Sequence, residues 1–298
     1  MKVIPASSAG FCWGVRRAVE CASATAEKTQ GAVYTDGPLI HNPAMIRDLE
    51  GRGVRVTTAP ETLPEGATLI IRAHGIAPEH RKYLESLPIK IVDATCPEVA
   101  RIQGVIRSHV AQGYAIIIHG DKGHAEVVGL CGHAQGRGFV VESAEDVAAL
   151  EGSTGLLTCA QNTQNTGQKT CATLGKVCVV AQSTQEEAEF ARVAEAVRGR
   201  FSEVRILDTI CEATKNRQRE LRRLAQTCQK IVVVGSRMSA NSLRLAHIAS
   251  EVCPTVMVAD AEELRAEDFI GVTTVGLTAG ASTPDTEIAA VRKKLERF

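Results

Sequence analysis

The sequence carries no charge excess: 34 Lys and Arg are matched by 34 Asp and Glu across 298 residues. That balance argues against a general nucleic-acid partner, which would call for a basic surplus. A small anionic ligand needs only a local site. Long apolar runs are also missing. YAIII (114–118) and KIVVV (230–234) fall far short of the ~20 residues a membrane helix requires. The opening MKVIPASSAG reads as a short strand, not as the charged start and apolar stretch of a secretion signal. No membrane partner is expected, and a cytoplasmic setting is. There is no Walker A loop, and no strand is followed by G-x-G-x-x-G, so no tightly bound nicotinamide or flavin is expected. Electrons, if needed, must come from another protein. Low-complexity tails and long linkers are absent as well.

Ten cysteines stand against these absences. In a cytoplasmic chain disulfides are rare, which turns attention to metal, cluster or redox chemistry. Several of the ten, Cys21, Cys228 and Cys253 among them, read as small core residues.

Short β-branched runs alternate with amphipathic stretches. The runs are KVIPA (2–6), TLIIRA (68–73), IKIVDA (89–94), YAIIIH (114–119), GFVVES (138–143), KVCVVA (176–181), EVRILD (203–208), KIVVVG (230–235), TVMVAD (255–260) and TTVGLT (273–278). Helical patterns fall at 13–28, 97–112, 184–198, 211–227, 239–250 and 284–297. Several runs are apolar at nearly every residue, as in parallel strands covered on both faces. The rhythm predicts an α/β fold with parallel sheets. The amide-rich stretch 158–176, holding Cys159 and Cys171, breaks it and is read as an excursion with a short helix near 163–174.

Three places share one local grammar of strand, turn, cysteine and helix start: SAGFCWGVRRAVE at Cys12, VDATCPEVARIQ at Cys96 and LDTICEATKNRQ at Cys211. The last two share Asp-x-x-Cys, as Asp93…Cys96 and Asp208…Cys211. A helix N-terminus favours a thiolate, and Pro97 suits the first helical position. Three similar α/β units, each offering a cysteine at the carboxyl end of a strand, would meet at one point. Three thiolates suit an iron–sulfur cluster or a soft metal; in a four-iron cluster they leave one iron without a protein ligand.

Histidines fall at comparable strand ends: His41, His74, and His119 with His124. Aimed at one cavity, imidazoles would donate hydrogen bonds to a phosphate or diphosphate. Zinc is the competing reading for His119, His124, Cys131 and His133, whose spacings match no common zinc pattern. Glu126 would sit beside that cavity as a proton donor if its surroundings raise its pKa. Two hydroxyl-rich turns, GSRMSANS (235–242) and TAGAS (278–282), place polar groups at helix starts, where phosphate oxygens bind. Ordinary N-caps look the same.

In order along the chain, GFCWGVRRA, GPLIHNP, AHGI, DATCP, GHAEVVG, DTICEATKNRQ, GSRMSANS and TAGAS resemble the 4-hydroxy-3-methylbut-2-enyl diphosphate reductase family, also called IspH or LytB. The resemblance implies three α/β units with small, mostly parallel sheets in pseudo-threefold arrangement around a central [4Fe-4S] cluster. It implies Cys12, Cys96 and Cys211 as cluster ligands, and His41, His74, His124, Ser239, Asn241 and Ser282 around the substrate and its diphosphate. Glu126 is implied as the proton-relay acid, with His124 beside it. Ser183 stands where the family's threonine hydroxyl positions the substrate alcohol. The implied reaction, last in the methylerythritol phosphate route, removes an allylic hydroxyl with two electrons and two protons. Isopentenyl and dimethylallyl diphosphates result, with ferredoxin or flavodoxin as donor. Trp13, Ala125, Ser183 and Ala240 depart from the usual pattern, which leaves room for another allylic alcohol as substrate. A three-cysteine dehydratase, needing no external electrons, is the rival reading. Units are expected at 1–95, 96–208 and 209–298.

Overall fold

The computed structural model describes residues 1–148, 150 and 175–298. The proposed helix near 163–174, with Cys159 and Cys171, lies outside them.

Three four-stranded sheets, all parallel, make up the frame. The first contains β2 (Val33–Asp36), β3 (Val54–Thr57), β4 (Thr68–Ile71) and β5 (Lys90–Asp93), in the order β3-β2-β4-β5. The second contains β6 (Ala115–His119), β7 (Gly138–Val141), β8 (Lys176–Ala181) and β9 (Glu203–Ile206), in the order β7-β6-β8-β9. In the third, β10 (Lys230–Val234), β11 (Thr255–Val258) and β12 (Thr274–Ala279) are joined by β1 (Lys2–Pro5). Read from β11, that order is β11-β10-β12-β1. Each sheet thus has its second strand at one edge, then the first, third and fourth. In the third sheet the fourth place is taken by β1, with Lys2 opposite Thr274 and Pro5 opposite Leu277. The chain comes back on itself, so a division into three consecutive segments does not describe the sheets.

The apolar runs have the expected cause. Ile116 and Ile118 face one core cluster while Ile117 faces another. Ile231 and Val233 likewise oppose Val232 and Val234. A strand buried on both faces needs an apolar residue at every position. Each Ile or Val so buried contributes roughly 1.5–3 kcal/mol. Cys178, Cys228 and Cys253 pack within these clusters as free thiols, and Cys21 lies partly buried against another.

Helices follow the strands: α1 (Trp13–Lys28), α2 (Pro43–Gly51), α3 (Pro78–Glu85), α4 (Pro97–Ala111), α5 (Ala125–His133), α6 (Ala144–Ala148), α7 (Glu187–Arg198), α8 (Glu212–Thr227), α9 (Ala240–Ser250) and α10 (Asp285–Leu295). Strands β2 and β3 and helices α2, α3, α5 and α6 were not singled out by the sequence pattern. The strands are four residues long and contain polar positions, and α3 and α6 span eight and five residues. Elements that short carry little periodic signal.

Candidate active site

The repeated topology places side chains at three equivalent levels. The fourth strand of each sheet leads to a cysteine that caps the next long helix. Cys12 follows β1 and caps α1, Cys96 follows β5 and caps α4, and Cys211 follows β9 and caps α8. First strands lead to His41, His124 and Ser239, and third strands to His74, Ser183 and Ser282. All nine, with Glu126 and Asn241, line one cavity of about 270 Å³.

The shared Asp-x-x-Cys grammar has a physical job. Asp93 Oδ1 accepts from Thr95 N at 2.9 Å, and Asp208 Oδ1 accepts from Ile210 N at 3.1 Å. These Asx turns swing the backbone from strand to helix. Before Cys12 the turn is held from outside: both oxygens of Glu220 accept from the N–H and hydroxyl of Ser7 and Ser8.

Cys12 Sγ accepts from Val15 N at 3.4 Å, and Cys211 Sγ lies 3.1 Å from Thr214 Oγ1. Burial pushes the Cys96 and Cys211 thiols up, against the pull of N–H groups on Glu98 and Val99 at Cys96 and of Thr214 at Cys211. The net direction is upward. The expectation that the helix field favours the Cys96 thiolate is outweighed by burial, and a cationic centre bound between the thiols would favour their deprotonated form. The donor set fits an iron–sulfur centre: three free thiols on three separate elements, half-buried, facing one cavity. Gly14 makes the room, since a Cβ there would stand 2.4 Å from Cys96 Sγ. Gly14→Ala is expected to leave the far-UV dichroism intact and lower bound iron several-fold, read as iron per chain after anaerobic reconstitution.

His41, His74 and His124 pack together, with ring centroids 4.5, 5.3 and 5.4 Å apart. Burial pushes all three down, His124 to about 4; the charge of Arg72 adds to the effect at His41, and neighbouring imidazoles add to it at His74 and His124. His124 caps α5 with Nδ1 accepting from Glu126 N at 3.1 Å, which leaves the proton on Nε2. Both ring nitrogens of His41, Nδ1 of His74 and Nδ2 of Asn241 are buried without a partner. Such groups need a bound polar ligand or water.

Glu126 is 2% exposed. Its Oε1 accepts from Ser183 N at 2.6 Å and its Oε2 from Ser183 Oγ at 2.7 Å. Burial raises its pKa to about 7 despite those donors. Ser239 caps α9 by accepting from Ser242 N at 3.3 Å, and Ser282 Oγ reaches His41 O at 3.5 Å. Arg244, which the sequence did not flag, bonds Asp121 Oδ1 at 2.7 Å and Thr184 O at 2.9 Å, locking α9 to the Ser183 turn.

His119 is not part of this set. It ends β6 fully buried, with Nδ1 3.3 Å from Val141 O and its ring stacked on Phe190. His133 contacts Arg107 at the far end of α5. Among the described residues, the His, Cys, Asp and Glu side chains close enough to share one ion are His41, His74 and His124. No helix among them is long and apolar enough to cross a membrane.

Fold and site together define an α/β protein of three equivalent units whose fourth strands each deliver one thiol to a shared cavity, beside a buried acid and an imidazole cluster. The chain belongs to the family described as LytB protein, which matches residues 3–296. It is 43% identical to a 4-hydroxy-3-methylbut-2-enyl diphosphate reductase of Opitutus terrae, over 99% of both chains. Identity to the enzyme of that name from Aquifex aeolicus is 38%, over 99% of this chain and 96% of the other. Among solved structures, the E-1-hydroxy-2-methyl-but-2-enyl-4-diphosphate reductase from Plasmodium falciparum superposes with a TM-score of 0.87 at 26% identity, covering 99% of this chain and 87% of that one. A second, described as the terminal enzyme of the non-mevalonate pathway, is 36% identical over all of both chains, with a TM-score of 0.69.

Proposed function

We propose that this chain reduces (E)-4-hydroxy-3-methylbut-2-enyl diphosphate to isopentenyl and dimethylallyl diphosphate. The alcohol takes up two electrons and two protons, the C–O bond breaks, and water leaves. The observation that carries this reading is a buried carboxyl with a raised pKa in the same cavity as three thiols and a set of unpartnered hydrogen-bonding groups.

Cys12, Cys96 and Cys211 would hold a [4Fe-4S] cluster with one iron free of protein ligands. When bound, the cluster supplies electrons and Lewis acidity. His41, His74, His124, Ser239, Asn241 and Ser282 bind the substrate and its diphosphate, aided by the partial positive charge at the start of α9. Neutral imidazoles serve here as hydrogen-bond donors, which lets three stand within 5.4 Å without repelling. Ser183 fixes the Glu126 carboxyl, and Glu126 delivers the proton to the departing hydroxyl. A low-potential one-electron carrier such as ferredoxin or flavodoxin supplies the electrons.

Reconstituted protein is expected to convert the diphosphate alcohol only when a reduced donor is present. Turnover without a donor, or none with iron-loaded protein, would overturn the reading. Within it, Asn241→Ala is expected to raise KM about tenfold with kcat within about threefold, the loss of one hydrogen bond to a charged group. Steady-state kinetics read this directly.

A further inference from the structure

One buried side chain in the cavity has no part in the chemistry above. Arg217, on α8, is 4% exposed and lines the cavity with the three thiols. Its Nη1 donates to Ala213 O at 3.1 Å and its Nη2 to Gly10 O at 2.6 Å, while Nε has no partner. Both acceptors are neutral carbonyls. Gly10 is held at φ +101°, where a Cβ would also meet Asp285.

Arg244 is paired with Asp121 and Arg222 with Glu186. Among the described residues Arg217 has no carboxylate in contact. Glu220, on the same helix, gives both of its oxygens to Ser7 and Ser8. Burying a guanidinium without a counter-charge is costly, by several kcal/mol in real proteins. Burial pushes Arg217 down, and the opposing pull comes first from the Cys12 and Cys211 thiolates, then from Glu220. Among the groups sharing its cavity, those whose charge acts on Arg217 are the Cys12 and Cys211 thiols.

We propose that Arg217 is a positioning residue whose buried positive charge, in the cavity shared by the three thiols, favours the reduced form of the centre they hold. This rests on the iron–sulfur reading of the cavity. In the step concerned, one electron enters from the carrier protein, or from dithionite in a titration. No bond forms or breaks and no proton is taken up, so the net charge falls by one unit. A fixed cation in a poorly solvated site lowers the energy of the more negative state.

Arg17 supplies an internal control. Its Nη1 donates to Thr95 O at 3.0 Å, just before Cys96, as Arg217 does to Gly10 before Cys12. Arg17 does not line the cavity. Both arginines clamp a cysteine turn, but Arg217 alone of the two presents charge to the thiols.

Spectroelectrochemical titration of the reconstituted full chain, with iron and sulfide counted per chain, tests the proposal. Arg217→Met is expected to reduce the one-electron reduction equilibrium at least tenfold, a shift of ~59 mV to more negative potential. Arg217→Lys, which keeps the charge, and Arg17→Met, which loses a clamp and a charge that lies outside the cavity, are expected to stay within threefold of wild type. Arg217→Met with full iron and an unshifted potential overturns the proposal. So does an equal shift in Arg217→Lys or Arg17→Met, which would assign the effect to clamping geometry. If Arg217→Met binds no iron, Arg217→Lys decides: a loaded centre at the wild-type potential supports the role of charge, and an empty or shifted one overturns it. Wild-type protein without iron defeats the cluster reading itself, a separate result.

Discussion

Exchange of Cys96 for serine is expected to abolish the visible iron–sulfur absorption of anaerobically prepared protein and to cut donor-dependent turnover by at least ~100-fold. Cys96 is one of three thiols delivered by equivalent fourth strands, and no other free thiol among the described residues lines the cavity. A serine oxygen is a harder ligand that holds its proton more firmly, so it does not replace a thiolate on iron. The fold should survive, because Cys96 is half-buried and its side chain makes no capping bond. Cys21→Ser, on the same helix as the Cys12 cap but outside the cavity, is the matched control and should keep its iron. Full iron and turnover in Cys96→Ser would remove the basis of the proposed function.

The second large effect falls on Glu126. Glu126→Gln keeps an acceptor for Ser183 N and places an amide donor near Ser183 Oγ, so the cavity should hold its shape while losing its transferable proton. Turnover is expected to fall ~10²–10⁴-fold with iron content unchanged. A carboxyl with a pKa of about 7 is half protonated there and loses its proton progressively above it, so the wild-type rate limited by this step should decline as pH rises through about 7. Stability follows the same sign. The folded pKa lies above the unfolded value of 4.5, so the contribution is full below 4.5 and is lost as pH rises through about 7. The glutamine variant has no such loss. Relative to wild type it should gain up to roughly 3 kcal/mol between pH 4 and pH 9, seen in urea titrations at the two pH values. A variant with wild-type turnover, or one whose relative stability ignores pH, contradicts the assignment.

The sequence made the thiol set legible because each cysteine repeats one turn chemistry, strand then turn then helix, with an Asx turn written out as Asp-x-x-Cys in two cases. His41, His74 and His124 were legible as strand-end residues, but so was His119, and only burial against Phe190 and the Val141 carbonyl separates it from the others. Arg217 was not legible. It sits in a charged, amphipathic helix between Lys215 and Arg219, and nothing in the pattern says which of these cations turns inward. Nor was Arg244, whose partners come from a different sheet. The short strands β2 and β3 escaped because VYTD and VRVT mix polar residues into four positions and lack a longer apolar run to mark them. Above all, the pairing of β1 with β12 is a long-range event, and local sequence carries no trace of it.

That pairing has a consequence for how the protein comes into being. During synthesis β1 and Cys12 leave the ribosome long before Thr274, so the first turn of the thiol set waits in an unfinished sheet while two complete units form behind it. Closing a contact of that length is slow and entropically demanding. Metal loading is therefore tied to completion of the chain: nascent chains arrested short of β12 should bind no stable cluster, while released full-length chains should, as iron counting on ribosome-bound and free material would report. The topology would then act as a checkpoint, withholding a reactive centre from any chain that has not been read through β12.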